Sequence, residues 1–140
     1  MIHRDKAAHA ALVLRLTLGT AFIAHGLLKV LVFTVPGTVQ FFGSLGLPAI
    51  VAYATIAAEL AGGALLILGA YTRWVALALV PLLLGAAWAH SGNGWVFSAP
   101  GGGWEFPVFW AMTLIVQALL GDGAYALKRT DQPLRPVAAA

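Results

Sequence analysis

Apolar residues fill three long stretches of the chain, about Ala10 to Phe33, Pro48 to Ala70 and Thr72 to His90, and a shorter one from about Glu105 to Leu120. At about 1.5 Å of rise per residue, a helix of roughly 20 residues spans the ~30 Å hydrocarbon layer of a bilayer. Each stretch therefore predicts a crossing helix, the fourth with little tilt. Between the first two, residues 35–48 read VPGTVQFFGSLGLP, in which Pro36, Gly37, Gly43, Gly46 and Pro48 interrupt any continuous helix while Phe41 and Phe42 keep the segment apolar. A loop with a short interfacial helix is predicted there. Residues 91–104, SGNGWVFSAPGGGW, are richer in glycine and must lie at a boundary or fold back over the helices, with Trp95 and Trp104 placed for an aromatic belt.

Spacing selects the inward faces. Arg15, Gly19, Phe22, Gly26 and Lys29 recur at alternating steps of four and three, the seam of a left-handed bundle, with His25 beside it. Thr55, Glu59, Gly62, Leu66 and Gly69 follow the same steps in the second stretch, Ala76, Val80, Leu83, Ala87 and His90 in the third, and Phe106, Trp110, Thr113, Gln117 and Leu120 in the fourth. Glycines on a seam let backbones approach, and Thr113 and Gln117 are expected to hydrogen-bond across helices. Pro81 predicts a bend near the middle of the third helix. The fold expected is all-α: one transmembrane domain over residues 1–140, a four-helix antiparallel up-down bundle.

Composition supports a bilayer as solvent. Of 140 residues, 61% are hydrophobic and 9% charged, whereas about a quarter are charged in soluble domains. Eight Lys and Arg and five Asp and Glu, crowded towards the ends, cannot cover a water-facing surface. Without cysteine, disulfides, thiolate chemistry and iron–sulfur ligation are excluded. The net charge of +3 does not indicate a nucleic-acid partner, because the basic residues lie at helix ends and not in a stripe. Arg4, Lys6, Arg73, Lys128, Arg129 and Arg135 all fall on one side if there are four crossings, and residues 34–47 and 91–104 hold no Lys or Arg. The positive-inside rule then places both termini in the cytoplasm of a bacterial-type inner membrane. The N-terminus resembles a signal peptide in having a basic region before an apolar one, but the apolar stretch is too long and carries Arg15 and Lys29, so a retained helix is expected.

Charges within hydrocarbon are expensive and mark working or register-setting positions. Taking Glu59 and Phe22 as helix midpoints, His25 lies about 5 Å and Lys29 about 10 Å towards the outer side. Side chains lean towards the N-terminus of their own helix, so in antiparallel neighbours Lys29 and Glu59 converge. A Lys29–Glu59 ion pair or a His25–Glu59 hydrogen bond is expected, with Glu59, Lys29 and His25 as candidate catalytic residues. Arg15, about 10 Å on the cytoplasmic side, must snorkel or pair, and Asp122 at the cytoplasmic end of the fourth helix is the available acid. His90 and Glu105 bracket the outer loop and read first as a staple of that loop; as ligand-binding candidates, together with Trp104, they would instead roof the same outer-half cavity. His3, His9, His25 and His90 are too scattered for a zinc motif, and haem ligation by His25 and His90 needs a cavity that this small bundle scarcely supplies, so no metal is expected. GDG and GGG read as turns, not phosphate loops.

The order RLTLG, HGLLKV, FFGSLGLP, AELAGGALLILGAYTR, a histidine closing the third helix, GGGWEF and GDGAYAL, over residues 12–128, resembles the DoxX family of small four-helix membrane proteins. That resemblance implies an inner-membrane protein whose relatives are linked to redox complexes, among them thiosulfate:quinone oxidoreductase subunits and assemblies handling oxidative stress. Distant relatives act in trafficking or receptor assembly. By motif position it carries over Arg15, His25, Lys29, Glu59, Arg73, His90 and Glu105.

Two function classes follow. In the first, the chain is the membrane subunit of a redox system, with no intrinsic cofactor, a Lys/His/Glu pocket for a quinone-type ligand, and a partner protein that carries the redox centre. In the second, it is a non-enzymatic assembly, trafficking or lipid-binding module whose buried charges are structural. Arg73 reads most simply as a topology determinant and anionic-lipid contact. The small-residue seams suit packing within or between chains, which leaves a homo-oligomer open.

Overall fold

The computed structural model describes residues 2–130; Arg135 and the side chain of Arg4 lie outside the described residues. The described chain is all-helical, with α1 at Ile2–Leu27, α2 at Val35–Ser44, α3 at Ala49–Leu68, α4 at Thr72–His90 and α5 at Glu105–Leu120. Among the described residues there is no strand, only an isolated bridge between Ala70 and Lys128. Three segments, Asp5–Val32, Ala49–Leu68 and Thr72–Asn93, are long and apolar enough to cross a membrane, whereas α5, of 16 residues, is apolar but shorter.

Local chemistry sets the helix ends. α1 starts at Ile2, two turns before the Ala10 start expected from hydropathy, because helix-forming Ala7 and Ala8 extend it and Asp5 suits the positive end of its dipole. Hydropathy marks where a helix meets hydrocarbon, not where it begins. At its far end α1 runs into a π turn, Leu28–Val32. Thr34, at φ 64°, then accepts a bond from Gly37 N–H and caps α2, whose first turn carries Pro36. The short helix therefore occupies the first part of the 35–48 segment. α3 ends on Gly69 at φ 68°, with Gly69 and Ala70 N–H turned back onto Leu66 and Leu65 carbonyls.

Packing follows the small residues. A Cβ at Gly19 would sit 2.7 Å from Gly63 O, and one at Gly63 would sit 2.8 Å from Gly19 O, so the α1 and α3 backbones touch. Gly26 meets Leu60 while Gly19 meets Ile67, which makes α1 and α3 antiparallel. α4 packs on α5 and on α3, and α2 lies against α3. Phe22, Leu66, Leu79, Leu83, Trp110 and Leu114 form the core where these helices meet. The seam residues of α1 and α3 are buried or half-buried throughout. In α4 Leu79 joins Ala76 and Leu83 at the buried face. In α5, which packs on α4 and also touches α1 through Trp110, the buried set is Pro107, Trp110, Ala111, Leu114, Gln117 and Ala118, while Phe106 and Leu120, expected on the seam, face outward. The expected cross-helix bonds are local instead: Thr113 donates to Trp110 O and Gln117 to Gly121 O.

Candidate functional site

The Gly19–Gly63 contact fixes how α1 and α3 slide along each other, and nearly three turns on along α1 and about one turn back along α3 it leaves Lys29 facing Glu59. Lys29 Nζ lies 2.9 Å from Glu59 Oε1, with the side chains 19% and 5% exposed. Of the two partners open to Glu59 on sequence grounds, the ammonium takes the bond. Lys29 lies in the π turn that follows α1, and Thr38 Oγ1 of α2 donates to the Lys29 carbonyl at 3.0 Å. Glu59 Oε2 is buried and has no hydrogen-bond partner among the described residues. Arg15 Nε, Thr72 Oγ1, Trp110 Nε1 and Gln117 Oε1 are likewise buried without a partner among the described residues, and such atoms are costly.

Lys29 and Glu59 lie in the wall of a cavity of about 620 Å³ bounded by α2, the first half of α3 and the second half of α4. Phe41 and Phe42 of α2, Val51, Ala54 and Ala58 of α3, and Pro81, Leu82, Trp88 and His90 of α4 complete most of the lining. The only other polar lining side chain among the described residues is Thr55. The volume falls in the range that holds small organic ligands, in a largely apolar surround with few polar groups. α2 was legible as a short helix, yet its place as a cavity wall was not, because nothing local sets how it folds back. The capping pattern Thr34, Pro36, Gly37 would have located its start.

The remaining candidates are distributed over the fold. His25 does not line the cavity: its Nδ1 lies 2.9 Å from Ala21 O and its ring packs edge-on against Trp110, with centroids 4.8 Å apart. Arg15 is 1% exposed and does not bond Asp122. It donates instead to the carbonyls of Leu66, Ile67 and Ala124 at 3.2, 2.8 and 2.8 Å. The last carbonyls of α3 lack α-helical donors, keep lone pairs beyond the Gly69 turn's bonds and carry the negative end of the helix dipole, so a guanidinium fork is well matched to them. Gly69 is part of this arrangement, since a Cβ there would strike the guanidinium. Asp122 accepts from Thr72 N–H, thereby capping α4, and from the backbone and hydroxyl of Thr130.

His90 and Glu105 are not partners of each other. His90 Nδ1 donates to Gly101 O at 3.0 Å, and Glu105 Oε1 accepts from Phe97 N–H at 2.9 Å, so both tie down the 91–104 loop, and of the two only His90 reaches the cavity. Trp104 precedes α5 and stacks edge-on with Trp95 at 4.5 Å, outside the cavity. Arg73 lies at the start of α4, over the Trp74 ring and away from Glu59. Among the described residues no group of His, Asp and Glu is arranged to hold a metal.

The DoxX family model matches residues 10–92, which include both members of the ion pair and most of the cavity wall. CatD of Bacillus subtilis, a protein provisionally named an oxidoreductase, is 45% identical over 75 residues, 54% of this chain and 54% of its own length. The matched stretch thus spans about half of that relative. No solved structure gives a significant match. On the extent of the family match, this membrane protein belongs to the DoxX family.

Proposed function

We propose that the chain is the membrane subunit of a redox system that receives a quinone-type, lipid-soluble ligand in the Lys29/Glu59 cavity and anchors a partner oxidoreductase. The observation that carries this reading is the conjunction of an apolar cavity of about 620 Å³ with a buried ion pair whose second carboxylate oxygen is unpaired. An apolar ring and tail suit the walls, and a polar ring oxygen suits the pair. The oxidoreductase name of CatD agrees with it. The redox centre itself belongs to the partner in this proposal, because the chain has no thiols and no metal cluster among its described residues.

The arrangement in the bilayer is part of the proposal. α5 is the fourth crossing of an antiparallel four-helix bundle. Ala124 N–H donates to Ala8 O and Tyr71 N–H to Lys128 O, which gathers the N-terminal turns, the α3–α4 junction and the segment after α5 at one end, together with Lys6, Arg73, Lys128 and Arg129. The loops at the other end lack Lys and Arg, so the gathered end faces the cytoplasm of a bacterial inner membrane.

The test is binding of decylubiquinone to the full-length protein in lipid nanodiscs, read by quenching of Trp88 in the cavity wall and controlled with Trp88→Phe. Saturable binding weakened about tenfold or more in Glu59→Gln is expected; absence of saturable binding overturns the proposal. A structural-module reading has one observation in its favour: Arg15 and Asp122 show that this chain does use buried charge as a staple. It requires Glu59→Gln to lower stability with no ligand lost.

A further inference from the structure

The Lys29/Glu59 cavity opens sideways, and its opening bears on how a quinone-type ligand, the reading on which this inference rests, reaches the ion pair. Phe41, Ile50, Ala54, Pro81, Gly85 and Trp88 all line the cavity and are all exposed, which the walls of an enclosed space would not be. The α4 edge of the opening runs from Ala78 to Ala89, about 17 Å of helix. Both α3 and α4 are long and apolar enough to cross a membrane, so an exposed face partway along either meets hydrocarbon. The loop end of the cavity is more obstructed. Leu45 and Leu47, in the connection from α2 to α3, are half-buried there, and His90, through its bond to Gly101 O, ties the 91–104 loop to the end of α4. A ligand arriving from water has to pass these groups, whereas one dissolved in the bilayer meets the open side directly.

Gly85 lies in this mouth. Gly19, Gly26, Gly62 and Gly63 each stand where a Cβ would come within 2.7–2.9 Å of a neighbouring helix, which accounts for glycine at those positions. Gly85 is different: it lies inside α4, and a Cβ there would meet nothing within 4 Å. Glycine inside a helix is less stable than alanine, and no packing contact within the described chain calls for it here. We infer that the ligand enters and leaves the cavity through the bilayer, by the mouth between α2 and α4 across α3, and that the missing side chain of Gly85 sets the width of that passage. The ligand class narrows accordingly. A ring with a linear apolar tail can place the ring at Lys29 and Glu59 while its tail stays in the mouth among the lipid chains.

The experiment measures the rate constant for association of decylubiquinone with the full-length protein in lipid nanodiscs, by stopped-flow quenching of Trp88. Gly85→Ala, Gly85→Leu and Gly85→Phe fill the mouth stepwise. Leu84→Phe adds an aromatic ring at the next residue of α4, which is exposed but does not line the cavity, and Leu47→Trp enlarges the obstruction at the loop end. Association is expected to slow with side-chain size in the Gly85 series, by about tenfold or more for Gly85→Phe, and to stay within about twofold of the parent in Gly85→Ala, Leu84→Phe and Leu47→Trp. The rate constant does not depend on the fraction of active protein, and if Gly85→Phe does not fold, Gly85→Leu decides. Parental association rates in Gly85→Leu and Gly85→Phe, or equal slowing by Leu84→Phe or Leu47→Trp, overturn the inference while leaving the cavity occupied as proposed. Absence of binding to the parent protein overturns the proposed function, and this inference with it.

Discussion

Breaking the Lys29–Glu59 pair from one side and from both sides should give different answers. At 2.9 Å and an effective dielectric of ~20, the attraction between the two charges is about 6 kcal/mol gross. Most of that offsets the cost of taking both charges out of water. Lys29→Met leaves a carboxylate that is 5% exposed without its cation and is expected to cost about 3 kcal/mol. Glu59→Leu is milder, about 1 kcal/mol, since Lys29 is 19% exposed on a flexible stem near a helix end and can carry its charge to the interface. The double variant Lys29→Met/Glu59→Leu removes both charges and keeps apolar volume, so it should lie within about 1 kcal/mol of the parent. The cycle then yields a coupling of about 3 kcal/mol, with the double variant more stable than the sum of the singles. Unfolding by SDS in mixed micelles, followed by tryptophan fluorescence, measures all four proteins. A coupling below about 0.5 kcal/mol would show that the two groups do not compensate each other and would refute the electrostatic account of the site. Recovery of stability without recovery of ligand binding in the double variant would separate packing from function.

Two further outcomes follow from the packing. Arg15→Lys should lower stability by about 2 kcal/mol in the same assay, because a lysine cannot reproduce the fork that serves Leu66, Ile67 and Ala124 carbonyls; equal stability of Lys and Arg would show that charge alone suffices. Gly63→Leu should cost about 1–3 kcal/mol by forcing α1 away from α3, whereas Gly85→Ala, where an added Cβ meets nothing within 4 Å, should be neutral or stabilising by about 0.5–1 kcal/mol; a neutral Gly63→Leu would refute close backbone contact.

Much of the site was legible because of where the rare charges stand. Glu59 and Lys29 could be matched by helical rise and side-chain lean alone, since both quantities are properties of any α-helix. His25 was equally well placed by the same measures. What removed it was Trp110, which belongs to a helix some 85 residues later and whose ring occupies its flank. Arg15 shows the same limit in another form: a search for an acid could find only Asp122, while the groups that bind the guanidinium are backbone carbonyls, which every residue has and no sequence pattern distinguishes.

By itself the sequence determined the class of solvent, the number of long apolar helices, the inward faces of α1 and α3, and the scarcity of charge that obliges each buried one to find a partner. Those follow from composition and from a period of 3.6 residues, both local quantities. Only the tertiary structure decided the identity of each partner, the π turn that follows α1, and the cavity between α2, α3 and α4. The reason is geometric: a cavity is the space that several helices fail to fill, and it depends on crossing angles and loop returns set jointly by contacts far apart in the chain.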